Sequence, residues 1–125
     1  MLAALNIGAV LVGVAAGGLA ASVLGLILGS GLAVLGVDQG PGVGLVVGML
    51  SGLALGGWVS GARARHSARF HGAVTGLVMA FLVLVIAVLG GSPASTSSVI
   101  WLAVLSTLIA GLSGWLAGRR ADSAR

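Results

Sequence analysis

Four long apolar stretches, none containing an Asp, Glu, Lys or Arg, decide what this chain can fold into. They cover about residues 7–37, 43–62, 71–89 and 99–118. A hydrocarbon core of about 30 Å is crossed by a helix of about 20 apolar residues, so each stretch suffices for one span. Only a helix satisfies every backbone N–H and C=O within such a segment. The six Arg and two Asp all fall between or beyond the stretches. The expected fold is therefore all-α: an integral membrane four-helix bundle forming a single membrane domain over residues 1–125.

Composition closes the other routes. Hydrophobic residues make up 58% of the chain, charged ones 6%, and the mean hydropathy is +1.22. A soluble domain carries about 25% charged residues and needs them to cover its surface, which excludes a soluble globular enzyme. The 23 glycines follow no three-residue period, so collagen is excluded, and the high hydrophobicity excludes disorder. A net charge of +4 on a soluble chain would point to nucleic acid. Here the cations cluster instead: Arg63, Arg65 and Arg69 in one short loop, Arg119, Arg120 and Arg125 in the C-terminal tail. That is the pattern of juxtamembrane anchors facing anionic lipid headgroups, and no nucleic-acid partner is expected. With no cysteine, disulfides and thiolate metal sites are excluded.

The connections are short and antiparallel neighbours follow. Asp38-Gln39-Gly40-Pro41-Gly42 and Gly90-Gly91-Ser92-Pro93-Ala94-Ser95-Thr96-Ser97-Ser98 are turn chemistry with helix breakers. The first stretch is too long: 31 residues would span about 46 Å, so it must tilt, protrude or bend, with Gly17-Gly18 and Gly29-Ser30-Gly31 as candidate bends. Leu19-Ala20-Ala21-Ser22 loosely resembles a cleavage site, but no Lys or Arg precedes it and the apolar run continues, so no processing is expected. All six Arg lie on one side of the expected topology. The positive-inside rule then puts both termini in the cytoplasm, with Asp38 and Pro93 outside. Trp58, Phe70 and Trp115 fall near the inner boundary and Trp101 near the outer one, as interfacial aromatics do. Trp58, Trp101, Trp115, Arg63, Arg65, Arg69, Arg119 and Arg120 are thus the expected interface anchors.

Small residues recur every fourth position. The first stretch holds Ala9, Gly13, Gly17, Ala21, Gly25, Gly29 and Ala33; the second holds Gly40, Gly44, Gly48, Gly52, Gly56 and Ser60. Gly72, Gly76 and Ala80 follow in the third, and Ser106, Ala110, Gly114 and Gly118 in the fourth. In lipid, helices associate through close van der Waals packing, and small residues four apart let two backbones approach. The first two spans are expected to cross along these rows. Tight packing within the chain is the plainer use of such rows, and a pore or oligomer interface is the functional one.

Gly57-Trp58-Val59-Ser60-Gly61-Ala62-Arg63-Ala64 and Gly114-Trp115-Leu116-Ala117-Gly118-Arg119-Arg120-Ala121 share the pattern G-W-x-x-G-x-R-A at an offset of 57. Two tandem hairpins of the same sense would produce that repeat. So would convergence, since any helix ending at the inner interface favours Trp and then Arg. Gly56-Gly57-Trp58-Val59-Ser60-Gly61 followed by arginines, Phe70-His71-Gly72 with Gly76, and Gly118-Arg119-Arg120 resemble the YrzE-like small bacterial membrane proteins, a family of unknown function. Ser60 and the inserted Ala62 depart from that family's turn. The resemblance implies four spans in a bacterial inner (cell) membrane and no known activity.

No span carries the intramembrane carboxylate that proton-coupled transporters, rotary rings and small multidrug exporters require. Ser and Thr within the spans are expected to bond their own helix. His66 and His71 flank the arginine loop and are expected to sit as interfacial polar residues beside headgroups; two His without a third ligand make a poor metal site. Asp38 reads as a turn former, and Asp122 as a loose partner of Arg119 or Arg125. No catalytic, cofactor or metal site is expected. The function this implies is a structural or accessory subunit that packs against itself or a larger membrane complex. The alternative is an oligomeric passive channel or carrier for a small solute.

Overall fold

A computed structural model describes residues 5–64, 66–91 and 95–124. It contains four helices: α1 (Ile7–Val34), α2 (Gly40–Arg63), α3 (Ala68–Leu89) and α4 (Thr96–Ser123). Each is long and apolar enough to cross a membrane, so the chain is a multi-pass membrane protein of four spans.

The helix ends follow from local chemistry. Asn6 caps α1, its side-chain oxygen accepting the Ala9 N–H at 3.1 Å. The helix then runs unbroken through both candidate bends and stops at Val34, three residues before the expected end. Gly36 explains the stop. At φ +78° it lets its own N–H reach the Ala33 carbonyl (3.0 Å) and the Val37 N–H reach Leu32 (3.0 Å), the double closure of a Schellman turn. Gly91, at φ +75°, bonds Val88 in the same way after α3.

Two segments read as turns are helical. Pro41 lies in the first turn of α2, where its missing N–H would have had no helical partner, so α2 starts at Gly40 and not at Val43. Ser95 caps α4 by accepting the Ser98 N–H at 3.2 Å, which recruits Thr96–Ser98 into the helix. α2, α3 and α4 therefore extend past the apolar stretches that identified them, whereas α1 falls short of its own.

α1 packs chiefly on α2, and α4 on α3 and α2, while α1 makes a smaller contact with α3 and none with α4 among the described residues. α2 is the hub. The hairpin α1–α2 buries residues along its whole length, from Ala9 to Gly29 facing Gly40 to Ser60, and a hollow of about 340 Å³ lined by Leu26, Ala33, Pro41 and Leu45 opens at its Asp38 end. The pair α3–α4 does not: among the described residues α3 buries nothing beyond Ala80 and α4 nothing before Ser106.

Candidate functional site at the glycine-lined junction and its arginine-bearing end

The small-residue rows meet backbone to backbone. A side-chain carbon at Gly48 would stand 2.5 Å from the Ala21 carbonyl oxygen and 2.6 Å from the Gly25 nitrogen. At Gly17 it would meet the Gly52 carbonyl at 2.6 Å, and at Gly56 the Gly13 carbonyl at 2.8 Å. Gly44 faces Gly29 and Gly25 as closely, and Gly52 faces Gly17 and Ala21. The α1 glycines at the Asp38 end have more room than their α2 partners: a carbon on Gly25 would lie 3.4 Å from Gly44 and one on Gly29 3.3 Å from Pro41. Each tight glycine turns its spare α-hydrogen toward a facing carbonyl, a Cα–H···O contact worth about 0.5–1 kcal/mol.

A second row on α2 was not singled out for packing in the sequence. Gly57 meets the Ala110 carbonyl and Ser113 of α4, and Gly61 meets Gly114 with a would-be carbon 2.6 Å from its Cα. Consecutive residues on a helix point about 100° apart, so the row through Gly56 serves α1 and the row through Gly57 serves α4. The spacing Leu53, Gly57, Gly61 was the available signal, and all three are buried. Between α3 and α4, Gly72 faces Ala110 and Gly114, Gly76 faces Ser106 and Ala110, and Gly118 lies 2.7 Å from the Ala68 side chain by the same measure. Ala110 is fully buried where α2, α3 and α4 converge.

The two G-W-x-x-G copies do not make equivalent contacts. Gly57 and Gly61 pack on α4, whereas Gly114 packs on α3 as well as α2, and Gly118 on α3. The hairpins therefore use different faces despite the shared motif.

Polar side chains in the junction serve the helices themselves. Thr75 donates to the His71 carbonyl (2.9 Å), Thr107 to Ala103 (2.7 Å) and Ser113 to Ile109 (3.0 Å). Ser60 and Thr75 close over Gly13, where α1, α2 and α3 meet, and the Met79 sulfur fills the space beside Gly17. Ser106 Oγ is buried with no hydrogen-bond partner. A buried hydroxyl without a partner carries its full desolvation penalty, so Ser106→Ala should leave stability unchanged or raise it by up to about 1 kcal/mol in reversible unfolding from detergent. A loss instead would mean that Ser106 bonds a group inside the bundle.

His71 requires a correction. It is not a headgroup-facing residue: it is 1% exposed. Its Nε2 accepts the Asn6 backbone N–H at 2.9 Å, and its Nδ1 lies 3.1 Å from the Ser67 carbonyl. An acceptor at Nε2 requires the proton on Nδ1, which then donates to Ser67. The ring ties the cap of α1 to the start of α3. Ser67 bends the chain into α3 with a left-handed backbone (φ 59°), the only such non-glycine among the described residues. Phe70 (53% exposed) and His66 stay at the surface.

The cationic anchors cluster at this same end. The Arg120 guanidinium lies 5.2 Å from the Trp58 ring centroid, across the α2–α4 boundary, and Arg119 lies 4.7 Å from Trp115 on its own helix. Arg63 closes α2 and Arg69 opens α3, both exposed. Trp101 is exposed near the opposite end of α4. Arg65, Pro93 and Arg125 lie outside the described residues.

A groove of about 510 Å³ opens between α3 and α4, lined by Leu77, Phe81, Leu84, Val99, Leu102 and Ala103 among others. No protein-family model, curated protein or solved structure matches this chain.

Proposed function

We propose that the chain is a structural or accessory subunit of a membrane assembly. It packs against a larger membrane protein, or against itself, through the open side of the α3–α4 pair. The observation supporting this reading is the apolar groove of about 510 Å³ between those helices, larger than the hollow of about 340 Å³ between α1 and α2 at the same end. A helix seated there would gain van der Waals packing that mobile acyl chains match less well. The glycine rows are already occupied within the chain, which weighs against their lining a pore. The proposed setting is a bacterial inner membrane with the arginine-bearing end and both termini in the cytoplasm, an orientation supported by the one-sided arginines. Kinship with the YrzE-like proteins belongs to the same proposal and rests on the motifs around Gly57 and Gly118.

Native mass spectrometry of the protein extracted gently from its own membrane, without overexpression, tests this. A stoichiometric complex is expected. Ala103→Trp, which fills the groove, should release the partner while leaving the unfolding of the chain itself unchanged. A lone monomer would overturn the reading.

A further inference from the structure

We propose that the arginine-bearing end of the α2–α4 pair is a binding site for the phosphate headgroup of an anionic phospholipid, with Arg119 and Arg120 held on a platform of two tryptophans. The proposal rests on the four-span membrane reading and is independent of the accessory role.

The two arginines are consecutive, so they leave α4 about 100° apart and cannot share one ring. Each has its own: Trp115 one turn back for Arg119, and Trp58 on the neighbouring helix for Arg120. Trp58 is placed by its neighbours in sequence, because Gly57 and Gly61 seat the α2 backbone against Ala110 and Gly114. The second pairing thus exists only when α2 and α4 are packed in this register.

A guanidinium held over a ring by cation–π attraction spends no N–H in a hydrogen bond to it and keeps its N–H edge for another partner. That edge is the fork that grips a phosphate through two parallel hydrogen bonds. The ring contact also restricts the long side chain beforehand, which lowers the ordering cost when an anion arrives. Arg63, at the end of α2, adds to the positive field, while Asp122 is the carboxylate on α4 at this end.

A lipid fits better than a soluble anion because the apolar surface continues directly above the charges. Leu112, Trp115 and Leu116 are 55%, 42% and 48% exposed, and residues three or four apart carry that surface down α4 to Arg119. An acyl chain can lie along this face with its phosphate at the arginines.

The test uses the full chain with Trp101→Phe, so that Trp58 and Trp115 are the remaining tryptophans. It is reconstituted in phosphatidylcholine vesicles containing graded brominated phosphatidylglycerol or, in parallel, brominated phosphatidylcholine. Bromine quenches the tryptophans it touches, which gives a relative affinity for the two lipids. A juxtamembrane charge alone is worth about fivefold in affinity for an anionic lipid, whether it is Arg or Lys. A guanidinium fork hydrogen-bonded to the phosphate adds about tenfold or more. Arg120→Gln should therefore lower the preference for phosphatidylglycerol by more than about tenfold, and Arg120→Lys by about tenfold, since Lys keeps the charge without the fork. Arg63→Gln should lower it by no more than about fivefold. Unchanged quenching by the neutral lipid would report that each variant is still inserted and folded. Equal effects of Arg63→Gln and Arg120→Gln, with Arg120→Lys like the parent, would mean diffuse surface attraction and overturn the site. Relief of quenching by millimolar inorganic phosphate would overturn the lipid as its ligand.

Discussion

Gly48→Ala should destabilise the bundle by about 1–3 kcal/mol, and Gly48→Leu should prevent its assembly. The reason is what the new carbon would meet. At Gly48 the neighbours within 2.7 Å are the Ala21 carbonyl and the Gly25 nitrogen and Cα, all backbone, so no side chain can swing aside. α1 and α2 would have to separate, and in lipid little besides close contact holds them together. Gly18→Ala supplies the opposite sign. A carbon there meets nothing within 4 Å, so the helix gains up to about 1 kcal/mol from alanine's better propensity. Reversible unfolding in mixed micelles reads both. Leu50→Ile, on an exposed face of α2, should change little. Equal tolerance of all these substitutions would mean that the row does not face α1.

The second large effect concerns His71. His71→Ala should cost about 2–3 kcal/mol, because it leaves a cavity and breaks the tie between Asn6 and Ser67. His71→Phe separates the two losses: it preserves most of the volume and removes the acceptor, for about 1 kcal/mol. The diagnostic readout is hydrogen exchange at the Asn6 amide. It should be slow in the parent and fast in both variants, while amides in the middle of α1 stay protected in His71→Phe. An Asn6 amide that exchanges rapidly in the parent would contradict the tie.

These two predictions differ in how visible their residues were in the sequence. The glycine rows could be read because close helix contact in lipid demands small residues at a fixed spacing, and spacing is a local property. The four spans were legible for the same reason, since length and the absence of charge are counted along the chain. His71 was not legible. Its neighbour Asn6 is 65 residues away, and a histidine beside an arginine loop looks interfacial until the α1 cap is placed against it. The row through Gly57 and Gly61 lies between these cases. Its spacing was present, but the adjacent Trp and Arg drew those glycines into an interface motif. What hid it was that α2 has two partners, and a row shifted by one residue serves the second of them. The open side of α3–α4 had no sequence signal, because Phe81 and Leu84 face a groove and could equally have faced a core.

Direct contact between the α1 and α2 backbones is the central claim, and α-hydrogens report it best. Only glycines allow two helix backbones to come near enough for strong Hα–Hα cross-relaxation. In nanodisc or micelle NMR, Gly48 should therefore show such cross-peaks to Gly25, and Gly44 to Gly29. A sample mixing differently labelled chains should show the same peaks within one chain and none between chains. Cross-peaks from Gly44, Gly48 and Gly52 to lipid methylenes, or to a second copy, would contradict the account.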